Sequence, residues 1–587
     1  MNIDLKENKA LMRSIGVILS TFLIYFLIQN HKFIALLLFS LLIIVLIKSI
    51  QSSISGEVFR PYESFNNTKK LWIYIFYFIF SFLLFLSLLG SRFDASNSLL
   101  GNLIISFLAL LSLICLVLFT TYKLLRYDSN VTELSLTVSK YRILVYSIPS
   151  LIIYSIYLIS YFPGAMSPDS LDQWSQIISH EFNDWHPVAH TWFIMLTTII
   201  WKSPAAFSVV QILILSFVIG YLGYNFEKYG VNKYVIWISI LCMSAIPING
   251  IYSITMWKDI LYSACMLLFS IFIFNLIKTK GNWLDTNLNI FLYFISSLGL
   301  IMFRHNGLIV FVVTLVILAI IFKSNLKKAY FISIIVVVVQ LIITGPLYHF
   351  FNVKSSDPNE ALAIPTQLIA SVIAQDGNLV QEQRAFFNEV LPLEMWKKLY
   401  NPYSVDPIKF NEQYNRNFLL ENKNEFIKQW LVVSFNNPGL VIKAYLKQVS
   451  VVWQIKQFND GVSTLYLTDI YPKEVGEQMG LASIVINEKL TSVINQILSS
   501  TWSYPLKIIW RPAIYTFLII LFSFVNILRG NWKYSLISLP VMLNTGMLLA
   551  AIPAQDFRYS YGNLLVMFLA FLTVFVGKNS NLRGGTN

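Results

Sequence analysis

Charge is scarce in this chain. Of 587 residues only 12% are Asp, Glu, Lys or Arg, about half the share usual in a soluble globular protein. That shortage excludes an ordinary water-facing surface. Cysteine is nearly absent as well: Cys115, Cys242 and Cys265 all fall inside apolar runs and form no CxxC pair, which excludes a disulfide framework and a thiolate zinc site. The chain has no solenoid-scale repeat and no low-complexity tract beyond the short polar tail from Gly577 to Asn587. The net charge of +13 is not gathered into a basic domain, so a nucleic-acid partner is not expected.

Apolar residues fill the space, at 56% of the chain with 15% aromatic. Runs of about 15 to 22 apolar residues recur, each long enough to cross a hydrocarbon core about 30 Å thick. The composition therefore predicts an all-α polytopic membrane protein whose excess Lys and Arg lie in cytoplasmic loops. Lys6, Lys9 and Arg13 precede a first run, Ser14–Asn30, with no small-residue cleavage site after it, so it reads as a retained span. Three more occur at Phe33–Ile47, Leu71–Gly90 and Leu103–Phe119, making a four-helix N-terminal extension over residues 1–142.

The fifth span, Ile143–Tyr161, delivers the one acidic loop, residues 162–204, to the outside. Parity then constrains the spans beyond it. If both Pro187–Trp201 and Ala205–Tyr224 crossed, the basic connections at Lys228/Lys233, Lys278/Lys280 and Lys323/Lys327/Lys328 would all lie outside. Pro187–Trp201 is short, opens on Pro, carries His190 and ends at Lys202-Ser203-Pro204, so it is expected to be a juxtamembrane or re-entrant helix. The remaining spans are Ala205–Tyr224, Tyr234–Ile248, Ile260–Ile277, Leu288–Phe303, Gly307–Phe322, Tyr330–Phe351, Ile508–Leu528, Tyr534–Ala551 and Tyr559–Val576. About fourteen crossings result, with both termini cytoplasmic. Residues 143–351 form a transmembrane module and 504–577 a closing set of three spans, before a cytoplasmic tail at 578–587. Residues 352–503 carry period-3.6 patterning over Asn359–Gln375, Val380–Tyr400, Phe418–Val433 and Pro438–Trp453, which predicts a small helical external domain.

Three short turns share the acidic loop's side: Trp257-Lys258-Asp259, Phe303-Arg304-His305-Asn306 and Gln555-Asp556-Phe557-Arg558-Tyr559. In the loop, Ser167-Pro168 starts a helix carrying Asp169 and Asp172, with Gln173 and Gln176 nearby. Either carboxylate could serve as a general base with its pKa raised by partial desolvation, or Asp169 could merely complement the helix dipole. Asp184-Trp185-His186-Pro187 reads as a helix cap or as part of a binding site. His186 and His190, spaced i, i+4, could share a divalent cation with a third ligand from Asp169, Asp172 or Asp259, but no HExxH accompanies them. Arg304, Arg558 and Lys258 would present cations to a phosphate group. Arg511 is expected to snorkel to the interface.

The order of motifs is distinctive: PGAMSPDS at 163–170, HPVAHT at 186–191, PINGIYSITMWKD at 247–259, FRHNGL at 303–308 and DFRY at 556–559. From Ile143 to Val576 it resembles bacterial GT-C-type integral membrane glycosyltransferases that use polyprenyl-phosphate-linked sugars, related to the dolichyl-phosphate-mannose-protein mannosyltransferase-like group. The resemblance implies Asp169 as catalytic base, with Asp172 and Asp184 left open as alternatives because Asp169-Ser170 is not a DxD pair. It further implies Asp259 as a second catalytic acidic residue and Arg304, Arg558 and Lys258 as holders of the donor phosphate. His186, His190, Asp184, Trp185 and Asn306 would contact substrate. The activity implied is inverting transfer from a polyprenyl-phosphate sugar to a cell-envelope glycan acceptor, without redox or nucleotide cofactor, at the outer face of a bacterial plasma membrane. A flippase for lipid-linked saccharides, or an envelope polysaccharide polymerase or ligase, would share the topology. A flippase would be expected to carry inverted repeats and mid-membrane charges, and neither is evident.

Overall fold

The computed structural model describes residues 33–89, 99–127, 138–456, 466–502 and 506–577. The expected first span, Ser14–Asn30, lies outside them. Among the described residues the protein is all-helical, with isolated β-bridges and no strand. Among the described residues, eight helical segments are long and apolar enough to cross a membrane, and one of them, Gly307–Phe350, runs for 44 residues.

The N-terminal helices are α1 (Phe33–Ile54), α2 (Asn67–Leu88) and α3 (Leu99–Leu125). Asn66 caps α2 by accepting from the Lys69 amide at 2.9 Å. The next module begins with α4 (Arg142–Ser160), continues through two short helices, α5 (Pro168–Ser179) and α6 (Val188–Thr198), and returns along α7 (Pro204–Lys228). At 11 residues, α6 is about 16 Å long, half a hydrocarbon core. α4 and α7 pack closely because Gly220 sits against Ser147 and the Ile143 carbonyl, where a Cβ would collide. The start of α4 is tied to the end of α7 by Arg142, whose guanidinium grips Glu227 through two bonds of 2.9 Å.

Next come α8 (Lys233–Ala245), α9 (Pro247–Tyr252), α10 (Lys258–Thr279), α11 (Asn287–Met302), α12 (Gly307–Phe322) and α13 (Lys327–Ile342). α10 is apolar on every side and buried almost throughout, the pattern of a helix at the centre of a bundle. Between α12 and α13 the chain turns at Lys323, at φ 47°, and the Tyr330 hydroxyl donates back to the Leu318 carbonyl at 3.1 Å.

Residues 352–456 build the helices α14 (Ala363–Ala374), α15 (Gln381–Val390), α16 (Leu393–Leu399), α17 (Lys423–Asn436) and α18 (Pro438–Gln448). They enclose their own core, which includes Ile369, Phe387, Trp396, Leu419 and Phe426. The chain returns through α19 (Glu488–Ser500), α20 (Pro512–Leu528), α21 (Leu539–Ala551) and α22 (Tyr561–Val574). α22 is buried against α10 in the central cluster. The 352–456 region grips the segment leading into α22: Val405 donates to Pro553 (3.0 Å), Gln555 to Tyr403 (3.1 Å) and Gln448 to Ile552 (2.9 Å).

Arg511 does not snorkel. It is 1% exposed and donates to the carbonyls of Gln454 and Ser450 at 2.9 and 3.2 Å, so its stem and head alike are fixed by the turn after α18.

Candidate functional site

The acidic loop is bound to the turn before α10 by its backbone. Ala165 donates to the Ile254 carbonyl and Met256 to the Ala165 carbonyl, both at 3.0 Å. Gly164 permits this approach, since its φ of 120° disfavours side chains and a Cβ would press on Ser208 and the Ile254 carbonyl. Met166 and the segment 469–471 exchange two further backbone bonds. α5 then starts on a capping box between Ser167 and Ser170 with Pro168 in the first turn. Ser167 also accepts from the Trp257 indole at 2.8 Å, and Ser170 donates to the Met256 carbonyl at 2.8 Å. Asp169, between these two serines, is thereby delivered to Lys258.

Arg558 is the hub of the charges that meet there. Its Nη1 lies 2.7 Å from Asp169, its Nε 3.0 Å from Asp556 and 3.9 Å from Asp259. Arg304 pairs with Asp259 at 3.3 Å and donates to the Tyr559 carbonyl at 2.9 Å. Aromatic faces hold both guanidinium groups: Arg558 lies 4.7 Å from the Trp257 ring centre and Arg304 5.1 Å from that of Tyr559. Lys258 Nζ is 2.6 Å from His186 Nδ1, and His186 Nε2 faces Asp169 at 3.7 Å. Asp259 is 1% exposed and Asp169 33%, so Asp169 is the carboxylate of this group that reaches solvent.

The electrostatics differ from the sequence expectation at Asp169. Burial opposes its ionisation, but Arg558, His186 and Lys258 hold its carboxyl well below the usual carboxylate range. The predicted upward shift falls instead on Asp172, through burial. Burial and the adjacent Lys258 push His186 down to about 3, and His190 likewise to about 3. A neutral His186 that accepts from Lys258 at Nδ1 carries its proton on Nε2, directed at Asp169. Burial raises Asp556 to about 7 even with Arg558 against it.

Six sequence-predicted residues thus converge: Asp169, His186, Lys258, Asp259, Arg304 and Arg558. The others do not. Asp172, one turn further along α5, instead accepts from Gln176 at 2.8 Å. His190 is fully buried between the rings of Phe207 and Phe303, with Nδ1 3.0 Å from Gln173, so it fastens α6 to α5. Asp184 caps α6 by accepting from the Val188 amide at 3.1 Å and also accepts from the Tyr348 hydroxyl at 3.1 Å. The Trp185 ring lies tilted against that of Phe410 in the 352–456 region, with ring centres 6.0 Å apart. Asn306 precedes α12 and offers its carbonyl to Val310 at 3.1 Å. Lys258 and Gln173 contact the Nδ1 atoms of His186 and His190 respectively. Among the described residues, no group of three His, Cys, Asp or Glu side chains is arranged to hold a metal ion.

Sequence reasoning passed over Asp556, Trp257, Tyr559 and Asp406 as site residues. Asp406 comes from the 352–456 region; burial raises its carboxyl against the pull of Lys409, and it also feels the charges of Asp169 and Arg558. Asp556 had a legible signal, since an Asp two residues before an Arg can accept from that residue's amide, as it does here at 3.0 Å.

Residues 196–586, about two-thirds of the chain, match a family of unknown function (DUF6020), and the protein belongs to that family. The matched region includes Lys258, Asp259, Arg304 and Arg558, while Asp169 and His186 precede it. No curated protein and no solved structure matches the chain.

Proposed function

We propose that this member of the DUF6020 family is a GT-C-type membrane glycosyltransferase, transferring a sugar from a polyprenyl-phosphate donor to a cell-envelope glycan acceptor. The observation that carries the reading is the ion pair of Asp169 with Arg558 in a cluster that also holds Lys258, through His186, and Arg304, through Asp259, at the ends of apolar helices. The cluster combines a solvent-reaching carboxylate to take a hydroxyl proton with cations to meet the charge of a departing phosphate. The reading also takes the site to lie on the outer face of a bacterial plasma membrane, with about fourteen crossings and both termini cytoplasmic. In its support, the long apolar run Gly307–Phe350 counts as two spans, and four shorter apolar helices join the long ones.

In this mechanism the donor phosphate competes with Asp169 for Arg558. As Arg558 turns to the phosphate, Asp169 loses its strongest counter-charge and its pKa rises toward the range of a working base. Asp169 then takes the acceptor hydroxyl proton, the hydroxyl oxygen bonds to the anomeric carbon, and the bond from that carbon to the phosphate oxygen breaks. The polyprenyl phosphate leaves with the electron pair, its charge met by Arg558, Arg304 and Lys258, and configuration inverts. His186 keeps its Nε2 proton toward Asp169 and orients it. Asp556 anchors Arg558 from behind.

The test is binding of a short-chain polyprenyl phosphate to the purified protein in nanodiscs, monitored by tryptophan fluorescence. Saturable binding is expected in the wild type, weakened about tenfold or more in Arg558→Gln and largely restored in Arg558→Lys. Absence of binding by the wild type, or equal binding by Arg558→Gln, would refute the phosphate site.

A further inference from the structure

α19 has a wider apolar face than the bundle covers. Leu490, Val493, Ile494, Ile497 and Leu498 share one side of the helix, with Ser492, Gln496 and Ser499 opposite. Ile494 and Leu498 are buried against the central cluster, but Val493 is 51% and Ile497 41% exposed. The approach to the helix is equally uncovered, at Ile484, Val485 and Ile486, as is Trp502 just after it.

The two ends of α19 are fixed to the ends of two apolar helices. Near its start, Thr491 donates to the Ser160 carbonyl at 3.0 Å and Asn495 accepts from the Tyr161 hydroxyl at 2.7 Å, at the end of α4. Beyond its last turn, Thr501 accepts from the Trp510 indole at 2.8 Å, just ahead of α20. Its 13 residues, about 20 Å, are therefore strung across the end of the bundle instead of running along it. Ile159, exposed on the last turn of α4, brings that helix's apolar outer surface up to the same level. Trp502 and the exposed Lys489 are residue types suited to the headgroup layer.

We propose that α19 is an interfacial helix lying in the membrane surface, with Val493, Ile497 and Trp502 seated in lipid at the headgroup–acyl boundary and Ser492 and Gln496 facing water. The partner is the bilayer itself, and the inference holds whatever chemistry the site performs. It predicts that this segment, although part of a largely polar external stretch, fixes the depth of the bundle end that carries Asp169.

The test uses the full chain in nanodiscs, with Cys115, Cys242 and Cys265 replaced by Ala and single cysteines placed at 492, 493, 496 or 497. Each is nitroxide-labelled and its relaxation compared with oxygen, which concentrates in lipid, and with a water-soluble nickel chelate. Labels at 493 and 497 should show a several-fold higher oxygen-to-nickel ratio than those at 492 and 496. Equal ratios at all four positions would overturn the proposal. Protection of 493 and 497 from both agents would also overturn it, indicating a protein partner.

Discussion

Arg558 is pulled by three carboxylates, Asp169, Asp556 and Asp259, and the residue-scale behaviour of the site depends on how it divides among them. Nearby His186, and His190 between α5 and α6, are kept neutral by burial and by Lys258, both near 3 against an ordinary 6.5. An unfolded chain would take up protons on both imidazoles as pH falls below about 6.5, and the folded chain would not, so acid favours unfolding across the window from about 6.5 down to about 3. Thermal unfolding in nanodiscs should therefore fall through that window, and His190→Gln should flatten the slope. An unchanged slope would mean that His190 is not held neutral. Asp169, His186, Lys258 and Arg304 were legible because ionisable residues in an oily chain stand out. The low pKa of Asp169 was not, because its cause, Arg558, is nearly 400 residues away in the sequence.

Among elements, α5 carries the most consequence per residue. Its capping box holds Asp169 in place, and Ser167 serves twice, as cap and as acceptor for Trp257. Ser167→Ala should cost about 2 kcal/mol, from loss of the cap and a buried indole N–H left without a partner, seen as a lower unfolding temperature. A value within experimental error of wild type would show that the loop does not depend on this cap. The helix start at Ser167-Pro168 and the shortness of the helix after Pro187 were readable from local chemistry. The docking of Gly164 to Met166 against 254–256 was not, since backbone pairing between separate loops leaves no periodic mark. Arg511 misled for a related reason: at the end of an apolar run it has the look of an interfacial residue, while its partners are carbonyls after α18.

For the whole molecule, composition was enough to indicate a helical membrane protein, and charge parity gave an orientation. Parity makes a direct prediction. Cysteines introduced at Lys202 and Lys228 should react with an impermeant maleimide from outside only at 202, and the reverse pattern would invert the proposed topology. What composition could not convey is the packing of α22 against α10, which joins turns some 300 residues apart, or the grip of the 352–456 region on residues 552–555. The most direct measurement is sugar transfer from a labelled polyprenyl-phosphate donor by purified Asp169→Asn beside Asp172→Asn, each checked for wild-type insertion and folding. The proposed chemistry predicts a loss of about 10²- to 10⁴-fold in Asp169→Asn with most activity kept in Asp172→Asn. Transfer by Asp169→Asn at the wild-type rate would contradict it.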